Sequence, residues 1–134
     1  MRDPGCIKFF TLDEANALLP LVRERIVLLR ETRRRIVGLQ AKVDIEELTS
    51  PDPSAVSPEL KGLLVTLEAE VGVFHGALES LQDLGCELKD LERGLVDFYT
   101  MRGNDVVYLC WMDGEEGITW WHPLDTGMKG RAPL

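Results

Sequence analysis

The stretch Gly85–Arg131, GCELKDLERGLVDFYTMRGNDVVYLCWMDGEEGITWWHPLDTGMKGR, decides the fold, because the hydrophobic period changes there. Everything before it reads as helix. Within it, Glu87–Leu91, Leu95–Met101, Val106–Met112 and Ile118–His122 alternate apolar and polar residues, the period of a half-buried strand. Arg102-Gly103-Asn104-Asp105 is a tight hairpin turn, since Gly103 and Asn104 both tolerate positive φ. Asp113–Gly117 is a longer loop. A small antiparallel meander of three to four strands follows, and so short a sheet needs helices over one face to be stable.

The turns also set a register. A two-residue loop at Gly103-Asn104 pairs Arg102 with Asp105, Tyr99 with Tyr108 and Asp97 with Cys110. Closing Met112 onto Ile118 then sets Cys110 against Trp120 and Tyr108 against His122. Side chains alternate along a strand, so Val96, Phe98, Val107, Leu109, Trp111 and Trp121 share an apolar face that should pack on the helices. The other face carries Leu95, Asp97, Tyr99, Tyr108, Cys110, Trp120 and His122. A slip of one residue would scatter this set.

Working outward towards the N-terminus, Thr11-Leu12-Asp13-Glu14 is a capping box, with Phe10 placed to staple against Ala15. Ala15, Leu19, Val22, Ile26, Leu29, Arg33, Ile36, Gln40 and Val43 then recur at steps of four and three. This heptad seam is interrupted by Arg33 and Gln40. The first helix should cover residues 11–48, kinked or broken near Pro20. Residues 49–57 are a proline-rich linker. Ser57-Pro58-Glu59 restarts a helix over 58–84, with seam residues Leu60, Leu64, Leu67, Val71, Phe74, Leu78 and Leu81, closed by Gly85 as a left-handed cap. The expected fold is α+β: one domain over 1–134, an antiparallel helical hairpin packed on a sheet at 86–122, with a C-terminal tail at 123–134. The seams are also candidate surfaces for a homo-oligomer.

Composition narrows the function. A net charge of −8 and a pI near 4.7 supply no cationic field for non-specific nucleic-acid binding. The Arg30, Arg33, Arg34 and Arg35 cluster reads as a solvated helix face paired with Glu24, Glu31 and the linker acids. Three cysteines without a CxxC pair suit a reducing cytoplasm rather than a disulfide framework. The opening MRDPGCIKFF has no apolar run of signal-peptide length, and no stretch is long enough to span a membrane. His75 has no Glu three residues before it, so it does not fit the ligand motif of helical bundles.

The chemistry concentrates on the polar sheet face. Asp97, Cys110 and His122, with Asp125 three residues on, are the donor types that hold a divalent metal such as zinc. Glu115 is a candidate general base, which with an open metal position would make a metal-dependent hydrolase. Tyr108, Trp120 and Arg131 are candidate ligand-binding residues. The competing readings are a half-exposed polar surface held by packing, a Cys-His nucleophile pair, or a tryptophan-lined small-molecule pocket. A non-catalytic binding or interaction domain, with a metal or small ligand on this sheet, is the leading expectation.

FTLDEANALLPLV, ELKDLERGLVDF and VYLCW…GE…WWHPLDTG…GR resemble the DUF2203 family of small, mainly prokaryotic proteins, over nearly the whole chain. The family is a domain of unknown function, so the resemblance implies no reaction. It implies that Lys89, Asp90, Gly94, Asp97, Cys110, Trp111, Glu115, His122, Asp125, Gly127 and Arg131 stand at motif positions. Trp121 stands where related sequences carry tyrosine, and Met128-Lys129 where Phe-Ala is more typical. Neither change removes a candidate ligand.

Overall fold

In the computed structural model, which describes residues 7–52 and 54–134, two helices precede a five-stranded antiparallel sheet. Helix α1 spans Leu12–Thr49 and α2 spans Pro58–Asp83. The strands are β1 (Glu87–Asp90), β2 (Leu95–Arg102), β3 (Asp105–Met112), β4 (Trp120–Pro123) and β5 (Ala132–Pro133), paired in chain order. A short 3-10 turn, Gly127–Gly130, precedes β5.

The capping box at Thr11 is formed in both directions. The Glu14 amide donates to Thr11 Oγ1 at 3.1 Å, and the Thr11 amide donates to Glu14 Oε1 at 2.8 Å. Phe10 and Ala15 are both buried, and Phe10 meets Phe98 edge-on. Of the kink or break expected at Pro20, the break does not occur: α1 is a single 38-residue helix through it. Proline inside a helix costs about 3 kcal/mol. Leu19, Val22, Ile26 and Leu29 are buried across that point, and each such side chain contributes about 1.5–3 kcal/mol. Packing outweighs the lost hydrogen bond.

The hairpin uses its seam internally. Leu19, Val22, Ile26, Leu29 and Val43 of α1 and Leu60, Ala77 and Leu81 of α2 are buried, and the two helices pack on each other. Leu64, which the heptad count places in the seam, is exposed, while Leu63 is half-buried. Apolar side chains left outside include Val37, Ile45 and Leu48 of α1 and Val65 and Val73 of α2.

The register follows the turns as expected: Asp97 faces Cys110, Tyr99 faces Tyr108, Tyr108 faces His122 and Cys110 faces Trp120. Only Gly103 takes positive φ in the hairpin turn (+63°), so glycine fills the first central position, as in II′ turns. Val96, Phe98, Leu109 and Trp111 join the helix core, whereas Val107 and Trp121 line a cavity beside it.

Two details depart from the sequence reading. The sheet has five strands, because the two-residue β5 folds back onto β4, with Trp120 facing Pro133 and Trp121 facing Ala132. The arginines of α1 also do more than solvate. Arg30 donates to the Leu91 and Glu92 carbonyls and meets Asp113 at 2.6 Å, tying α1 to the β1–β2 turn and the β3–β4 loop. Arg23 reaches the Glu115 and Glu116 carbonyls, and Arg35 pairs with Glu70. Arg33 and Arg34 are exposed.

Candidate metal centre

Three adjacent strands deliver Asp97, Cys110 and His122 to one point. Asp97 and Cys110 are direct neighbours across the β2–β3 ladder, and His122 reaches in from β4. Their donor atoms all lie within 4.8 Å of one another, the one such group among the described residues. The three are 2%, 0% and 1% exposed, so this is no half-exposed surface. Cationic side chains lie over the neighbouring rings of this face. Arg131 stacks over Trp120, and Lys89 sits 4.7 Å from the Tyr108 ring centroid.

The hydrogen bonds fix the imidazole. His122 Nδ1 lies 2.8 Å from the Pro123 carbonyl, which has no hydrogen to give, so Nδ1 donates. Nε2 then points at both Asp97 oxygens, each 3.1 Å away. In the metal-free protein a single proton must sit between that nitrogen and the carboxylate. Burial pushes the Asp97 carboxyl above its ordinary range, with the opposing pull of His122 and a hydrogen bond from Cys110 only partly compensating. Burial, and then the Asp97 charge, push the Cys110 thiol up to about 12, against the pull of Arg131. A thiol held protonated in this way is a poor nucleophile at neutral pH.

The other candidates are placed differently. Asp125 is exposed in the turn after β4 and lies outside the cluster. Glu115 Oε1 accepts from the Met112 amide at 2.7 Å and from Arg131 at 2.6 Å, so its carboxylate clamps the β3–β4 loop to the tail. Arg131 also donates to the Cys110 carbonyl. Trp120 carries Arg131 on its ring, and the Tyr108 ring lies 5.2 Å from that of His122. His75 is exposed beside Phe74.

A family model described as "Uncharacterized conserved protein (DUF2203)" matches residues 8–134. The chain belongs to the DUF2203 family. No curated protein and no solved structure matches it. In this DUF2203 chain the cluster therefore has to be read from its own geometry.

One part of the site went unread in the sequence. Glu87 stands opposite Asp97 in the β1–β2 register, a signal that pairing β1 with β2 would have provided. Its carboxylate meets Lys89 at 2.7 Å and accepts from the Tyr108 hydroxyl, which also bonds Tyr99. Burial opposes ionisation of Glu87, but hydrogen bonds from Lys89 and Tyr99 outweigh it and hold this carboxyl below its ordinary range.

Both phenols are raised: Tyr99 by its bonds to Tyr108 and Glu87, and Tyr108 first by burial. These are the chain's only two tyrosines. The folded protein therefore keeps phenolic protons that the unfolded chain releases near pH 10, and the resulting stability is lost as pH rises through the folded values. In this DUF2203 chain, phenolate absorbance should rise above about pH 10 when folded and at about 10 in urea. Glu87→Gln should lower the folded midpoint. A folded-state midpoint equal to that in urea would contradict the network.

Proposed function

We propose that this DUF2203 protein is a non-catalytic binding domain that holds one divalent ion of the zinc class on Asp97, Cys110 and His122. The observation that carries the reading is the convergence of three metal-ligand side chains from three strands, with the His122 ring already oriented by the Pro123 carbonyl. A hydrogen bond at the non-ligating nitrogen is the usual support of a metal-bound histidine.

The donor set fits in distance and in charge. Tetrahedral zinc, with bonds of about 2.0–2.3 Å, places ligand atoms roughly 3.3–3.8 Å apart. The 3.1 Å between Nε2 and Asp97 and the 4.8 Å limit of the group bracket that range. One divalent ion with carboxylate, thiolate and neutral imidazole sums to zero charge, which suits a buried place. The ion would displace the Cys110 proton, so uptake should release acid. A reducing compartment such as the cytoplasm, where the thiol survives, belongs to the same reading.

Three protein ligands would leave a fourth position open to water or another ligand, but a hydrolase also needs a free base. Glu115 is committed to Arg131 and the Met112 amide, so the non-catalytic reading is preferred. Any association with a second copy would use the outward apolar positions of the helices, since the seam is occupied within the hairpin.

The test is elemental mass spectrometry on untagged protein purified without chelator. About one equivalent of metal, absent from a folded His122→Ala variant, is expected for a single three-ligand site. Metal-free protein that also takes up no zinc on titration would overturn the proposal.

A further inference from the structure

We propose a second binding site, on the helix side of the sheet, for a small amphipathic carboxylate. A cavity of about 480 Å³ opens where the start of α1, the tip of the β2–β3 hairpin and β4 meet. That volume lies in the range of small-molecule pockets. Its lining residues Val107, Leu109 and Trp121 belong to the sheet face opposite the Asp97 cluster, so it does not depend on the metal reading.

The walls are largely apolar, with Phe9, Phe10, Leu12, Met101 and Leu134 completing them. Phe9, Leu12 and Met101 remain exposed, an apolar rim of the kind that marks a ligand or partner site. The polar groups of the lining can be counted off. Thr11 and Glu14 are spent on each other in the capping box. Thr100 donates its hydroxyl to the Phe10 carbonyl at 2.6 Å.

The one cation of the lining is left over. Arg102 lies 4.3 Å over the Trp121 ring and has no ion-pair partner among the described residues. A guanidinium over an aromatic ring still has N–H groups free for a carboxylate, which it can bind in bidentate fashion. The indole N–H of Trp121 is also buried without an acceptor, so the same wall carries an unmet donor. A lining whose one cation is unpaired, whose one acidic side chain is held by the Thr11 amide and whose walls are otherwise mainly apolar fits a ligand with one anionic end and an apolar body. It does not fit a sugar or nucleotide, which needs several free polar partners.

The probes are octanoate and its neutral counterpart 1-octanol, titrated into the full chain by calorimetry. The indole N–H resonance of Trp121 serves as a local reporter. Octanoate is expected to saturate and to bind at least about ten-fold tighter than octanol, the scale of one charge-assisted pair. Arg102→Gln lies on an exposed hairpin tip, so its fold should survive. It should abolish that preference while leaving octanol binding unchanged. A Trp121 resonance that shifts with octanoate in the wild type and less in the variant would agree. Non-saturating octanoate, equal binding of the two probes to the wild type, or a preference that survives Arg102→Gln would each overturn the proposal.

Discussion

Asp97→Ala is expected to destabilise the metal-free protein by about 3–5 kcal/mol, the scale of breaking a buried pair from one side. Asp97 and His122 are 2% and 1% exposed, and both carboxylate oxygens lie 3.1 Å from Nε2. Removing the carboxylate leaves the imidazole with its Pro123 bond and nothing opposite Nε2. It must then shed the proton it shared or stay charged without a partner, and either is costly away from water. Asp97→Ala combined with His122→Ala should cost well under the sum of the two single changes, because the second removes the group the first orphaned. Urea unfolding of chelator-treated protein measures all three. Additive losses, or a single-variant cost below about 1 kcal/mol, would mean that the pair is not coupled in the way its geometry implies.

Gly94→Ala should be the second most damaging of the changes considered, at about 3 kcal/mol or more, and Gly103→Ala its control. Both glycines have positive φ, +67° and +63°. The left-handed conformation alone costs a residue with a Cβ about 1–2 kcal/mol. At Gly103 an added Cβ meets nothing within 4 Å, so only that penalty applies. At Gly94 it would stand 2.5 Å from Asp113 Cβ and 3.0 Å from an Arg30 nitrogen. Asp113 Cβ is anchored to the backbone and cannot swing aside as a side-chain tip would. Its amide also donates to the Gly94 carbonyl at 3.0 Å. The substitution therefore pushes on the Arg30 clamp that fastens the sheet to α1. Denaturant midpoints for the two variants separate these effects; equal losses would show that the close approach at Gly94 is relaxed cheaply.

Much of the fold could be read from the chain, because it is built from local signals. Period two in Leu95–Met101 and Val106–Met112, joined by Gly103, determines the central hairpin. Once Tyr99 faces Tyr108, pleating puts Asp97 and Cys110 on one face, and closing the β3–β4 loop adds His122 opposite Tyr108. The capping box and Gly85, whose φ is +100°, mark helix ends for the same reason.

What escaped depends on contacts far apart in sequence. A two-residue strand such as Ala132–Pro133 has no periodicity to detect, yet it adds a fifth strand beside β4, with Arg131 just before it lying over Trp120 on the polar face. Arg30 looks like any surface arginine until Leu91, Glu92 and Asp113 are brought beneath it. Glu115 has the chemistry of a base, and only the fold reveals that Arg131 holds it. Asp125 is three residues from His122, but a turn carries it outside the cluster.

The central claim is tested most directly by loading the metal-free protein with cobalt(II) and recording its absorption spectrum. The account predicts a thiolate-to-cobalt charge-transfer band with the visible bands of a tetrahedral ion. The charge-transfer band should be lost in Cys110→Ala and kept in Glu115→Gln and Asp125→Ala. A spectrum of aqueous cobalt in the folded wild-type protein would contradict it, and the three buried residues would then be a hydrogen-bonded core pair beside a thiol.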